Sequence, residues 1–187
     1  MTDARRFRDC LGRFATGVTV VTVQHGDLVH GTTVSSFTSV SLDPPLVLVC
    51  LDRRSRMCGR LAGAEFGVNV LADHQRDLAL HFAGQRTGTV PAITWERSDR
   101  APRIAGCVAH FACSPWASYE SGDHVLYVGE VRHVEIEDGE PLLFHRGAFA
   151  ELDAATDDTA WIGSLDCPTE GIWAPRPGEF IRPARSA

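Results

Sequence analysis

Three stretches of the sequence gather side chains that can do chemistry. Thr32-Thr33-Val34-Ser35-Ser36-Phe37-Thr38-Ser39 is a run of hydroxyls in or just after a strand-like segment. Such hydroxyls and their backbone amides suit the polar edge of a ring system or a phosphate. The same composition suits a solvent-facing, Thr-rich strand. Asp52-Arg53-Arg54-Ser55-Arg56 follows the apolar run Leu46–Leu51. A strand end opening into Arg and Ser makes an anion site, and it reads equally as a solvated charged loop. Gly122-Asp123-His124 follows a segment holding Trp116 and Tyr119. A histidine at a strand mouth beside aromatics can orient a planar ligand, or it can be a turn histidine. Cys107, His110 and Cys113 invite a metal reading, but on one strand 107 and 113 share a face and 110 takes the other, so no zinc set is expected.

Several chemistries are missing. No two glycines are spaced as GxG, so the dinucleotide fingerprint is absent. There is no lysine, which removes a Walker P-loop and a Schiff-base lysine. GxSxG, HExxH and EF-hand patterns are also absent.

The elements that must position these residues are mostly strands. Phe7, Cys10, Leu11 and Phe14 share a helical face, predicting an amphipathic helix over about 4–15, capped by Thr2 or Asp3 and ended by Gly17. From Val18 the period changes to two, and 18–36 reads as a hairpin turning at His25-Gly26-Asp27. LVLVCL, after Asp43-Pro44-Pro45, reads as a strand buried on both faces. A short helix over 55–64, a strand over 65–71 and a helix over 74–82 capped by Asp73 follow. Residues 84–102 read as a loop, and 104–113 as a strand ended by Ser-Pro-Trp. Residues 123–137 read as a long strand bulged at Gly129, and 137–140 turn the chain into 141–149. Many short antiparallel strands and few helices predict a mainly β (α+β) antiparallel barrel. The last 35 residues lose periodicity and read as an irregular extension, giving a domain over 1–152 and a tail over 153–187.

The chain has 187 residues, enough to bury a core without disulfides. A net charge of -6 opposes nucleic acid as the main partner. No apolar run approaches membrane-spanning length, and the polar N-terminus lacks a signal-peptide core. None of the six cysteines forms a CxxC pair, so reduced thiols in a cytoplasmic protein are expected.

Taken in order, FATGVTVVT (14–22), HGTTVSSFTSVSLDPPLVLVCL (30–51), EFGVNVLADHQRDLALHFA (65–83) and SGDHVLYVGEV (121–131) resemble the flavin reductase family, the small reductase components of two-component flavin-dependent monooxygenases. PLLFHRG (141–147) matches more weakly, and the resemblance spans about 5–152. It implies a split β-barrel homodimer that binds FMN or FAD without a Rossmann motif. By this resemblance, Thr33, Val34, Ser35 and Ser36 line the isoalloxazine, with Ser39 in the same motif. Cys50, Leu51 and Asp52 lie beside the ring and ribityl chain, and Arg53, Ser55 and Arg56 hold the phosphate. Asn69, Val70 and Leu71 back the flavin, and Phe82 and Ala83 close the site. His124 matches the histidine associated with nicotinamide, the one catalytic assignment. Ser35 stands where Asn or Ala is common, Phe149 stands where Tyr is frequent, and the tail from Asp153 has no counterpart.

The resemblance implies hydride transfer from NADH or NADPH to flavin, with reduced flavin leaving for a partner monooxygenase. A flavoprotein that keeps its flavin and acts on a small metabolite, and a non-catalytic flavin-binding module, are the alternatives. No metal, nucleic acid or membrane partner is expected.

Overall fold

A computed structural model describes residues 3–85, 91–96 and 101–152. The irregular tail over 153–187 and parts of the 84–102 loop lie outside the described residues. In chain order the elements are α1 (Ala4–Leu11), β1 (Thr16–Gly17), β2 (Thr19–His25), β3 (Leu28–Val34), β4 (Thr38–Leu42) and β5 (Pro45–Asp52). Then come α2 (Arg56–Leu61), β6 (Phe66–Val70), a 3-10 turn (Asp73–Gln75), α3 (Arg76–Phe82), β7 (Trp95–Glu96) and β8 (Arg103–Ile104). β9 (Ala109–Ser121), β10 (His124–Ile136), β11 (Leu143–His145) and β12 (Ala148–Ala150) complete the order. Seven strands form one antiparallel sheet in the order β3-β2-β6-β9-β10-β5-β4. The mainly β architecture with few short helices is therefore present. No helix among the described residues is long and apolar enough to cross a membrane.

One face of the sheet encloses a core of Val21, Val23, Val47, Val49, Leu51, Phe66, Val68 and Tyr127, closed by Met57, Cys58 and Leu61 of α2. Val18, Val20 and Leu71 pack on the other side with Ala79 of α3, Ile104 and Leu142. β2 lies between the two clusters, so Thr19–Val23 are all buried despite the two threonines among them. Its threonines stay satisfied: Thr19 Oγ1 donates to Val34 O (3.1 Å) and Thr22 Oγ1 to Pro102 O (2.6 Å). β5 reverses the expectation for LVLVCL. Val47, Val49 and Leu51 are buried, whereas Leu46, Leu48 and Cys50 are only half-buried. An unbroken apolar run cannot distinguish a strand enclosed by one chain from a strand with one face left available.

Other boundaries shift for local reasons. α1 is capped by the Asp3 carboxylate, which accepts from Arg5 N, and it stops at Leu11 with Gly12 as its C-cap rather than at Gly17. None of its residues is buried, and Phe7 and Leu11 stay more than half exposed. The segment after Asp73 starts as a 3-10 turn before α3 begins. The loop after α3 contains the paired strands β7 and β8. Cys107 precedes β9, which begins only at Ala109.

β9 also runs through Ser114-Pro115-Trp116 instead of ending there. Beyond Cys113 it has left β6 and pairs only with β10, so an edge tolerates the missing N–H of Pro115. Two register shifts interrupt the β9–β10 ladder. Val128 faces Ala117 and Gly129 faces Pro115, leaving Trp116 unmatched; Val131 faces Cys113 and His133 faces Ala112, leaving Arg132 unmatched. The bulge expected at Gly129 is therefore one of an opposed pair.

Candidate flavin cleft and strand mouth

α2 is short, and its placement sets the first part of the site. The Ser55 hydroxyl accepts from Met57 N (3.2 Å) and caps the helix. Met57, Cys58 and Leu61 bury the inner face, and the Tyr127 hydroxyl donates to Cys58 O (2.6 Å), fixing α2 to β10. Arg56 and Arg60 consequently fall one turn apart on the outer side.

The opposite wall comes from β3 and α3. Thr33 Oγ1 donates to Ala79 O (2.7 Å), tying the strand to the helix. Phe82 then packs closely on the bare backbone of Gly31, where an added Cβ would sit 2.6 Å from its ring. Only glycine permits that approach. Between these walls opens a cleft of about 310 Å³. Ser55, Arg56, Phe82 and Ala83, grouped by the sequence resemblance, all line it. So do Thr32, the first of the hydroxyl run, and His30, Gly31, Met57, Arg60 and Gly84, which the sequence reading missed. The i, i+4 step from Arg56 to Arg60 was the available signal. His30 has its pKa held below the usual imidazole range, first by burial and then by Arg60, His25 and Arg56. A neutral ring beside two guanidiniums leaves the cleft cationic and receptive to an anion.

The strand mouth is the second part. Ser121 pairs with His124 across a two-residue turn made possible by left-handed Gly122 (φ 64°). The same register sets His124 opposite Asp52 and Leu126 opposite Cys50. His124 Nδ1 lies 2.7 Å from Asp123 Oδ1, so that carboxylate orients the ring. Asp52 meets Arg54 at 2.7 Å, and hydrogen bonds from Arg54 hold its carboxyl well below the usual carboxylate range. Burial, and then Asp123, push the Cys50 thiol up, keeping it protonated. Arg53 donates to Gly122 O (3.1 Å) and meets Glu120 at 3.3 Å, so it braces the turn and does not line the cleft.

The remaining assigned residues divide. Ser36 Oγ donates to Cys50 O and accepts from Cys50 N, both at 2.9 Å, stitching the end of β3 to β5. Ser35 and Ser39 are exposed, and Val70 is half-buried. Val34, Leu51 and Leu71 direct their side chains into the two cores. Asn69 turns its side chain into the fold. It is fully buried, its Nδ2 donates to Val20 O (3.0 Å) and Thr22 Oγ1 (3.1 Å), and its Oδ1 accepts from Ile104 N (2.8 Å). Its side chain has no polar atom left for a ligand.

Cys107 and His110 adjoin this buried polar group. Cys107 Sγ lies 3.9 Å from Asn69 Oδ1. His110 faces the Pro102 carbonyl outside hydrogen-bond geometry, and burial lowers its pKa to about 4. Among the described residues, no three His, Cys, Asp or Glu side chains converge as a metal set.

The family model described as "Flavin reductase like domain" matches residues 11–153. An NADH-dependent flavin reductase from Rhodococcus sp is 42% identical over 159 residues, covering 82% of this chain and 89% of the relative. The reductase subunit HsaB of a flavin-dependent monooxygenase from Mycobacterium tuberculosis is 36% identical over 181 residues, covering 91% and 97%. A solved structure of the Streptomyces globisporus NADH:FAD oxidoreductase SgcE6, in complex with NAD and FAD fragments, matches with a TM-score of 0.77 at 40% identity over 83% of this chain and 96% of that one. An aromatic wall, a cationic cleft and a histidine-bearing strand mouth thus lie in a chain whose matched region exceeds three quarters of its length, and this chain belongs to the flavin reductase-like domain family.

Proposed function

We propose that the protein is an NADH-dependent flavin reductase that passes reduced flavin to a separate flavin-dependent monooxygenase. The observation that carries this reading is the cleft in which Phe82 on Gly31 faces Ser55 and Arg56. Its donors fit a flavin phosphate. The Ser55 hydroxyl accepts from the helix and keeps its own proton to donate outward, and Arg56 meets no carboxylate among the described residues. Bound flavin supplies the acceptor for hydride from reduced nicotinamide. The chain supplies position: Phe82 offers an apolar face, and His124, held by Asp123, offers a ring nitrogen at the strand mouth.

The half-buried outer residues of β5 and the exposed Phe7, Leu11, Trp116 and Tyr119 support a split-barrel homodimer, since these apolar surfaces find no cover within one chain's described residues. The reductase unit then occupies 1–152, with 153–187 an extension.

Anaerobic bleaching of free FMN and FAD under NADH and NADPH tests the reading. Catalytic bleaching of excess free flavin with NADH is expected. Bleaching limited to one equivalent of tightly held flavin, or none, overturns it.

A further inference from the structure

We propose that Trp95 is a positioning residue for the flavin, holding the Phe82 ring of the cleft in its place on Gly31. The inference rests on the flavin reductase reading. Phe82 is the last residue of α3, where a helix frays and no further turn follows to hold the ring. Gly31 beneath it has no side chain to grip it. Trp95 meets Phe82 edge-on, with ring centroids 6.3 Å apart and planes at 64°, the arrangement that aromatic pairs prefer. Trp95 does not itself line the cleft. Its effect on bound flavin therefore passes through Phe82.

Trp95 is in turn firmly placed. β7 is two residues long, and a two-stranded ribbon of that length does not hold itself together. It is tied at three points: Trp95 pairs with Ile104, Ala105 N donates to Thr94 O (2.9 Å), and Glu96 meets Arg103 at 2.8 Å. Arg103 is buried and also meets Glu135 and Glu137 around the end of β10. One guanidinium thus gathers three carboxylates, an arrangement whose desolvation works against stability and whose better use is to fix register. The register fixed here is that of β7, and the ring that β7 delivers to Phe82 is Trp95. Trp95 keeps 36% of its surface exposed, so core packing does not account for it. Without it the Phe82 ring is free to leave Gly31, and flavin must order the ring again on binding.

Dissociation constants for FMN and riboflavin are measured by fluorescence titration of wild type, Trp95→Ala, Phe82→Ala and the double variant, with thermal melts beside them. Trp95→Ala should weaken both flavins about fivefold and equally, because the change acts on the ring and not on the phosphate. Trp95→Phe keeps an aromatic edge and should stay within about twofold of wild type. The double variant should bind no more weakly than Phe82→Ala alone, since Trp95 acts only through Phe82. A general loss of fold would reproduce neither the rescue nor this non-additivity. If Trp95→Ala melts early, Trp95→Leu carries the same test with more of the volume kept. Additive losses would show that Trp95 acts independently of Phe82, and they overturn the proposal. So does unchanged affinity in Trp95→Ala, and so does a loss confined to FMN. Wild-type protein that binds neither flavin overturns the functional reading itself, a result visible before any variant is made.

Discussion

Two polar regions of this molecule use similar side chains to opposite ends. Around β2, β6 and β9, Thr22 and Asn69 are buried and fixed against one another and against the Pro102 and Ile104 backbone, with His110 buried beside them. Beside α2, the hydroxyl of Ser55 and the guanidiniums of Arg56 and Arg60 border open space. The first region turns polarity inward to lock strands together. The second keeps its hydrogen-bonding capacity for something else. A polar residue therefore speaks for function only when its donors and acceptors remain unclaimed by the fold.

The largest test of this contrast is Asn69→Ala. It leaves the Ile104 amide without its acceptor and takes a donor from the Val20 carbonyl and the Thr22 hydroxyl in a dry interior, and should cost about 3 kcal/mol of folding stability. Flavin affinity of the folded fraction should be unchanged. Chemical denaturation beside flavin titration decides it, and lost affinity at unchanged stability would return Asn69 to the binding site.

His110 sharpens the same side through pH. Its folded pKa is about 4, below the ordinary imidazole value of 6.5, so the unfolded state binds more protons between those values. Its contribution to stability is intact above pH 6.5 and is lost as the pH falls toward 4. Urea melts should show about 2 kcal/mol lost between pH 7 and 5 from this group. His110→Leu should flatten that part of the profile; an unaltered slope would show that other groups carry it.

On the open side, Arg56→Ala should weaken FMN about tenfold while leaving riboflavin and the melting temperature nearly unchanged. Equal effects on the two flavins would reduce this arginine to a solvated surface group. The smallest effect is expected at the strand mouth. His124→Ala should raise the KM for NADH severalfold with a lesser fall in kcat, while the flavin dissociation constant holds. Stopped-flow reduction at varied NADH reads this directly, and an unchanged NADH dependence removes His124 from the nicotinamide site.

Much of the architecture was legible because period-two patterning and turn residues are local signals. The hairpin through Gly26-Asp27, the helix after Ser55 and the long strand from His124 all fall where the pattern puts them. What failed depends on neighbours. The two-sided burial of β2 and the half-open face of β5 are decided by which strands and helices lie across them. Pro115 reads as a terminator because sequence does not reveal that β9 is an edge there. At the site, Ser55, Arg56, Phe82 and Ala83 line one cleft. The Asn69 side chain is spent inside the fold, because a motif match reports that a residue belongs to a pattern and says nothing of whether its side chain faces a ligand or the core. His30 and Arg60 were missed because each gains meaning only from the other.

The opposed bulges in the β9–β10 ladder bear on how such a chain can change length. Trp116 is surplus on one strand and Arg132 on the other, so the offset opened at Gly129 closes again before His133. Each surplus residue has no partner across the ladder, so deleting either one would remove its bulge and leave every other pair in register. The chain can therefore lose a residue at either place without exchanging inner and outer faces, and what it gives up is the local bend and extra twist that the bulge supplies.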